Sequence, residues 1–594
     1  MTQVFEHEAE TPMSSQGARE MALRFLQTVV VVDDEAHLPR LNVADPAQRR
    51  IATDEDRVRA GFEPPAPTAP TAVRRNRPDR VLVPPGGAQP EVPTAGLDAQ
   101  RLIEAFAGNG LVCAVLRPES KAPNPVLDQT VAAARRADVL IVDWQIFQDD
   151  GESAMYVIEE VLRSDNESSQ RLRLIVVYTA LATADIRNQI KNRLGARFGP
   201  AFANEGANVL VAAATRILLL QKPGGLAPAL GTEEVPTSEL PGRVADEFAK
   251  MTRGLIPGIA TASLAALREN SHRLLSKLHA GLDAPYLAHR AMLPSPEDAE
   301  DHLIALVVGE LQSILRQADV RDSADAGAIV EWLTANKGRL PLHTLYAGNH
   351  NGSLPAGTEM PPSFREDMRT LFDVGYNGEN QSSLPAALRR LGKEPHKKIG
   401  AHTFHPDRLE GEHLDCELAM LTATQSRYTR SIPFLQLGVV LGRLEAGSVS
   451  FWLCLQPRCD SVRIERKPMP EVGDTHADAA TRKFLLSRCL KTDKSQPHDI
   501  VIRGLDGRFV HLKVSMKVQD SELEEFAADP NTKTVLPVVT GDGRTVFNSV
   551  GRGYWMVAEL KPEYAQDVAN RYGAAVARVA LDRTEWLRRY GNSD

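Results

Sequence analysis

Asp143-Trp144-Gln145-Ile146-Phe147-Gln148-Asp149-Asp150-Gly151 follows the apolar run Val139-Leu140-Ile141-Val142. Uninterrupted apolar residues rich in β-branching read as a strand buried on both faces. An Asp at the C-terminal end of such a strand points its carboxylate into the crevice where open α/β sheets bind ligands. Three similar runs end in polar side chains: Val29–Val32 before Asp33-Asp34, Leu174–Tyr178 before Thr179, and Ile217–Leu220 before Gln221-Lys222-Pro223. Leu111–Leu116 reads as a further strand, while Val209–Ala213 fits an added strand or a helix. Helical patterns fill the gaps at 97–106, 125–137, 153–163 and 183–194, and Val244–Leu255 closes the unit. Such alternation predicts a parallel sheet covered by helices on both faces. Right-handed crossovers then bring all strand C-termini to one edge, so Asp33, Asp34, Asp143, Thr179 and Lys222 are expected around one crevice.

Three carboxylates at one strand edge raise one another's pKa unless a cation compensates. A hard divalent cation such as Mg²⁺ takes oxygen ligands and prefers one or two carboxylates plus phosphate oxygen. Asp34 and Asp143 are the expected direct ligands, Asp33 acts partly through water, and the Gln145 backbone carbonyl is a further candidate.

The order Asp-Asp, Asp, Thr, Lys-Pro resembles the phosphoacceptor site of two-component receiver domains, over roughly 24–255. The resemblance implies a flavodoxin-like, doubly wound, five-stranded parallel sheet. It makes Asp143 the phosphoacceptor, Asp33 and Asp34 the acidic pair, Thr179 the switch hydroxyl and Lys222 the active-site lysine. Positioning and charge neutralisation carry most of phosphoryl transfer. Asp143 is then the nucleophile, Lys222 offsets phosphoryl charge, and the Thr179 hydroxyl reports the phosphorylation state. Three departures stand out, one being the insertion at 41–95, which leaves from the end of the first strand beside the site, where it could screen the site or help dock a kinase. Phe147 occupies a position usually held by proline, expected to alter loop stiffness, and Leu219 stands where an aromatic switch residue normally precedes the lysine.

A narrower resemblance rests on Leu278-His279-Ala280-Gly281-Leu282-Asp283-Ala284-Pro285-Tyr286 and on Trp452-Leu453-Cys454-Leu455-Gln456-Pro457-Arg458-Cys459-Asp460-Ser461-Val462-Arg463. With an inserted first loop, these are similar to the atypical receiver proteins of bacterial defensive (Detocs-type) two-component systems. There a sensor histidine kinase senses phage infection and phosphorylates a receiver fused to a toxic effector. A companion receiver drains stray phosphate. The resemblance implies the companion, a phosphate sink partnered by a sensor histidine kinase and a second receiver-effector protein. The alternative is a response regulator whose C-terminal half is an enzyme, such as a nuclease or nucleotide-degrading effector. A third is a pseudo-receiver that binds without turning over phosphate.

The chain has 594 residues, enough for about three or four domains. Hydrophobic content of 43% and charged content of 25% are ordinary for globular protein. A net charge of −8 argues against nucleic acid as the main partner. No apolar run reaches membrane-spanning length and residues 1–21 carry no apolar leader core, so a cytoplasmic protein is expected, with 1–21 a flexible leader. The five cysteines form no CxxC pair and read as reduced thiols. Residues 41–95, rich in Pro, Ala and Arg, read as a disordered insertion within a receiver of 22–255.

From 256 to 430 the pattern is mainly helical, at 261–279, 298–317, 324–337 and 364–372, with Gly/Asn/Ser/Pro-rich loops at 346–363 and 374–384. Residues 431–594 predict an α+β domain with strands at 434–440, 449–455, 461–464, 500–502, 509–514 and 554–560, hairpin turns at Asp506-Gly507 and Asp542-Gly543, and a final helix over 562–589. No P-loop, GxSxG or HExxH is present, and catalysis beyond receiver self-phosphorylation and aspartyl-phosphate hydrolysis is not expected. His402, His405 and His413, with Asp407, Glu410 and Glu412, are the best metal-like cluster, although a polar loop or histidines satisfied within the fold explain them better than a nuclease-like or hydrolytic metal site. Trp452, Cys454, Asp460 and Arg463 fit a half-buried strand better than a pocket.

Overall fold

The computed structural model describes residues 15–38, 96–118, 125–167, 171–199, 202–224, 234–296, 298–318, 320–342, 362–375, 400–429, 431–445, 447–464, 480–494, 496–541, 543–549 and 551–577. The expected insertion at 41–95 lies outside them, as do residues 1–14 of the expected leader. Two compact units divide the chain, Met1–Ala335 and Asn336–Asp594.

The first unit opens with α1 (Ser15–Phe25), so the second part of the expected flexible leader is helical. There follow β1 (Thr28–Val32), α2 (Ala99–Ala107), β2 (Val112–Leu116), α3 (Pro125–Ala134), β3 (Val139–Val142), α4 (Glu152–Glu167), β4 (Arg173–Thr179) and α5 (Thr183–Phe198). Then come β5 (Ala203–Asn204), β6 (Val209–Ala212), β7 (Thr215–Gln221) and α6 (Leu240–Met251). The strand order is β2-β1-β3-β4-β7-β6-β5. Pairings from β2 through β7 are parallel, whereas β7–β6 and β6–β5 are antiparallel.

The five-stranded, all-parallel sheet expected from sequence is therefore corrected to a mixed sheet of seven. A short hairpin adds two strands beyond β7, and Val209–Ala212 is one of them. Arg216 holds this addition, bonding Glu205 at 2.8 Å and the buried Glu247 of α6 at 2.6 Å. Every residue of β3 and β4 is buried, as expected of strands covered on both faces. One face packs Leu140, Val142, Ile175 and Val177 against α3, α4 and α5. The other packs Val29, Val31, Ile141 and Val176 against α1, α2 and α6. Burying each such side chain contributes roughly 1.5–3 kcal/mol, so this double layer fixes the strand ends that carry the polar residues.

A helical arm follows: α7 (Leu255–Lys277), α8 (Asp283–Met292), α9 (Asp298–Gln317) and α10 (Ala326–Asn336). Arg268 docks α7 on the sheet unit, bonding Asp138 at 2.8 Å and lying over the Phe25 ring. α8 was not anticipated, and α7 starts earlier than the expected 261. No helix among the described residues is long and apolar enough to cross a membrane.

The second unit contains α11 (Phe364–Val374), α12 (Arg408–Ala423), β8 (Val439–Glu445), β9 (Ser448–Cys454), β10 (Thr481–Thr492), β11 (Ile500–Arg503), β12 (Phe509–Val514), β13 (Ser521–Ala527), β14 (Val538–Val539), β15 (Thr545–Ser549), β16 (Arg552–Glu559) and α13 (Pro562–Val576). β10, β13, β15, β16, β8 and β9 pair in sequence, and β9 returns to β10, closing an antiparallel barrel. The sheet of the expected α+β domain is thus a barrel, with Ala565, Val568 and Tyr572 of α13 packed on it. The long β10 was missed because charged residues interrupt both of its faces (Arg482 and Arg488 on one, Lys483 and Lys491 on the other), and the strand expected at 461–464 is replaced by a helical turn at Arg458–Ser461 followed by irregular chain. Trp452 and Cys454 are buried in the barrel interior with Phe484, Phe526 and Tyr554. The Asp506-Gly507 turn joins β11 to β12, with Gly507 at φ 76°. Asp542, and the expected helix beyond 577, lie outside the described residues.

Candidate functional site

β1 and β3 are parallel neighbours, Val32 opposite Val142, so the residues that follow each strand emerge side by side. Asp33, Asp34 and Asp143 each offer a carboxylate oxygen within 4.8 Å of the others. Among the described residues this is the sole such group of three or more potential metal ligands. Lys222, just past β7, reaches across the sheet edge. Its Nζ donates to Asp33 Oδ2 at 2.7 Å and to Asp143 Oδ2 at 2.8 Å, and all three residues are buried.

Burial disfavours the Lys222 charge, but Asp143 and Asp33 outweigh it and hold the ammonium's pKa above that of an ordinary lysine. Burial also raises Asp33 above the usual carboxylate range; Lys222 pulls it down, and Asp143 adds to the rise. Asp33 is further anchored because its Oδ1 accepts the Glu35 N–H at 2.9 Å. Asp34 differs: Oδ2 accepts the Phe147 N–H at 2.9 Å, while Oδ1 is buried without a hydrogen-bond partner.

Three carboxylates thus have one ammonium among them, bonded to two, and a buried oxygen of the third stands unpaired. That oxygen-only donor set and its uncompensated charge fit a hard divalent cation. The Gln145 carbonyl accepts the Gln148 N–H at 3.0 Å within the loop, so any role as a ligand would use its second lone pair. Thr179 is fully buried at the end of β4, between β3 and β7. Its hydroxyl accepts the Leu181 N–H at 3.4 Å, and its carbonyl accepts the Lys222 N–H at 2.8 Å.

The loop after β3 is wound by left-handed residues: Phe147 at φ 59°, Gln148 at 49°, Asp150 at 57° and Gly151 at 87°. A Cβ at Gly151 would stand 2.2 Å from the Trp144 ring, so only glycine fits there. Proline, with φ fixed near −65°, could not take the Phe147 conformation, nor could it donate the N–H that Asp34 accepts. The departure at 147 therefore changes more than loop stiffness: it supplies a hydrogen bond to the acidic cluster. Leu219 is fully buried in the core, so no aromatic stands at that position to follow Thr179.

Sequence reading missed Phe147 as a donor, since a positive φ at a non-glycine leaves no signal in composition. It also missed Arg117, whose Nε donates to the Asp34 carbonyl at 2.9 Å from just past β2. Residues that flank the insertion pair with each other just past Asp34: His37 bridges Asp98, its N–H donating to Leu97 and its carbonyl accepting from Ala99, both at 2.9 Å.

The histidine cluster of the second unit does not assemble. His405 Nδ1 lies 2.8 Å from the Asp407 carbonyl, His413 packs edge-on against Phe509, Asp407 caps α12 through the Glu410 N–H, and Glu412 pairs with Arg408 and Lys494. Asp460 gives its carbonyl to Arg482, consistent with a structural turn.

Residues 25–226 match the family model described as a response receiver domain. The match supports a receiver domain in this part of the chain, and with it phosphoryl acceptance in a two-component system, for which a histidine kinase is the general partner. Receiver domains bind Mg²⁺ through an acidic cluster of the kind that Asp33, Asp34 and Asp143 form. Neither the curated proteins nor the solved structures return a match to the chain.

Proposed function

We propose that Asp143 accepts a phosphoryl group from the phosphohistidine of a sensor histidine kinase, and that the protein serves as a phosphate sink in an anti-phage two-component system. The observation that carries the first part is the Lys222 ammonium held between Asp33 and Asp143 beside the unpaired oxygen of Asp34. An Asp143 carboxylate oxygen attacks phosphorus in line. The P–N bond breaks, its electron pair returns to the kinase imidazole, and an acyl phosphate forms on Asp143. Lys222 keeps its proton throughout and turns from the carboxylates to a phosphoryl oxygen. The Thr179 hydroxyl donates to another. Mg²⁺ held by Asp33, Asp34 and Asp143 would offset the remaining phosphoryl charge. Attack of water on phosphorus then releases inorganic phosphate and restores the Asp143 carboxylate.

The sink role is supported by the segments 278–286 and 452–463, which are similar to those of defensive two-component receivers, and by the lack of effector motifs in the C-terminal half. Phosphate transfer from a labelled kinase domain in Mg²⁺ should label the wild type and not Asp143→Asn. Failure to label the wild type from any histidine kinase or small phosphodonor refutes phosphoryl acceptance. In cells carrying a partnered kinase and effector, Asp143→Ala should increase toxicity. Silencing would instead establish the effector reading, and wild-type behaviour would establish a pseudo-receiver.

A further inference from the structure

The helical arm of the first unit leaves a large apolar surface uncovered. Buried residues of α7 end at Ala266, and its bonds to the sheet unit end with Arg268 to Asp138 and Glu269 to Arg24. Beyond that point α7, α8 and α9 hold one another through polar contacts: Lys277 to Glu310 at 3.2 Å, His289 to His302 at 2.8 Å and Arg290 to Glu300 at 2.8 Å. The apolar side chains point outward. Leu275 is 67% exposed, Met292 84%, Ile304 62%, Leu306 48% and Val308 45%.

The run Leu303-Ile304-Ala305-Leu306-Val307-Val308 is exposed along its whole length, although it makes more than a full turn of α9. A helix apolar all round belongs in an interior. Among the described residues of the first unit nothing covers this turn.

We infer that α7 and α9 form half of a four-helix bundle completed by a second copy of this chain. Three observations favour a second copy over another protein. The uncovered apolar side chains run along all three helices of the arm (Leu275, Met292, Ile304, Leu306 and Val308), an expanse suited to a second pair of helices rather than to a short peptide. The charge pattern of α9 is complementary to itself in reverse: the first turn is acidic (Asp298, Asp301 and Glu300, the last already paired with Arg290) and the final turn carries Arg316. An antiparallel α9 pair across a two-fold axis would set each acidic end against the other copy's arginine, with helix dipoles also opposed. The midpoint of such a pair falls at Val307–Val308, inside the apolar turn. There Gly309 has open space where a Cβ would stand, and Ala305 lies one turn earlier, so the two helices could approach closely.

The test is the mass of the full-length chain in solution by light scattering and sedimentation over micromolar concentrations. The wild type should be a dimer. Ile304→Glu with Val308→Glu should raise the dimer Kd roughly 100-fold or more, since each carboxylate would be buried unpaired. Helical content by circular dichroism should be unchanged. Val308→Cys, placed near the two-fold axis, should cross-link to itself under mild oxidation beyond the level of the parent, which keeps its own cysteines. A monomeric wild type overturns the inference. So does a dimer that survives the double substitution with its helices intact, or one in which Val308→Cys fails to cross-link.

Discussion

Replacing Lys222 with methionine removes the one ammonium bonded to Asp33 and Asp143 while keeping most of the side-chain volume. Both carboxylates remain buried beside Asp34. Removing one partner of a buried ion pair typically costs about 3–5 kcal/mol, because the other charge is left uncompensated. For a unit of this size each kcal/mol moves Tm by roughly 2–4 °C, so the unfolding transition should fall by about 6–20 °C in metal-free buffer at pH 8. The pH dependence has a definite sign. Asp33 already sits above the usual carboxylate range, and loss of Lys222 raises it further. A group whose folded pKa exceeds its unfolded value contributes stability that is present at low pH and lost as pH rises through the folded pKa. The gap between variant and wild type should therefore narrow at pH 5. Mg²⁺ should stabilise the variant more than the wild type, because the repelling ammonium is gone; at 100 times its Kd a ligand adds about 2.7 kcal/mol. The assay is thermal denaturation at pH 5 and pH 8, with and without Mg²⁺. An equal loss at both pH values, or no loss, would show that Lys222 does not hold the charge balance of this crevice.

Phe147→Pro should weaken Mg²⁺ binding by roughly 10–150-fold, the equivalent of a hydrogen bond to a charged group worth about 1.5–3 kcal/mol. The buried Trp144 beside the site gives a fluorescence readout, and unchanged affinity would contradict the role of the Phe147 N–H. Gly151→Ala forces a Cβ against the Trp144 ring at a positive φ, and should displace the indole, change its near-ultraviolet dichroism and slow phosphorylation at least about tenfold. Arg173, fully buried and bonded to both oxygens of Asp165 at 2.7 and 2.8 Å, anchors the start of β4 to α4. Arg173→Met should lower stability to urea by about 3–5 kcal/mol, and pairing it with Asp165→Leu should recover much of that loss.

The four strand ends were legible because parallel strands covered on both faces must be continuously apolar, so the first polar residue marks where each leaves the core. That places Asp33, Asp143, Thr179 and Lys222 on one edge without knowledge of any contact. The two strands beyond β7 were not legible. Val209–Ala212 is too short for its periodicity to separate helix from strand, and its state depends on pairing with β7 and on Arg216 reaching Glu247. Barrel closure was likewise hidden, since it depends on β16 meeting β8, with Trp555 opposite Gly442, residues far apart in sequence, and no local pattern encodes that register.

By itself, then, the sequence determined which side chains gather at the crevice, through hydrophobic continuity and the handedness of crossovers. Tertiary structure alone decided how they are held: the left-handed Phe147 donating to Asp34, the ammonium shared between two carboxylates, and the single oxygen left unpaired. Hydrophobic burial is set by residue type and so is written along the chain. Hydrogen-bond partnership and charge balance depend on distances of a few ångströms between segments that only the folded chain brings together.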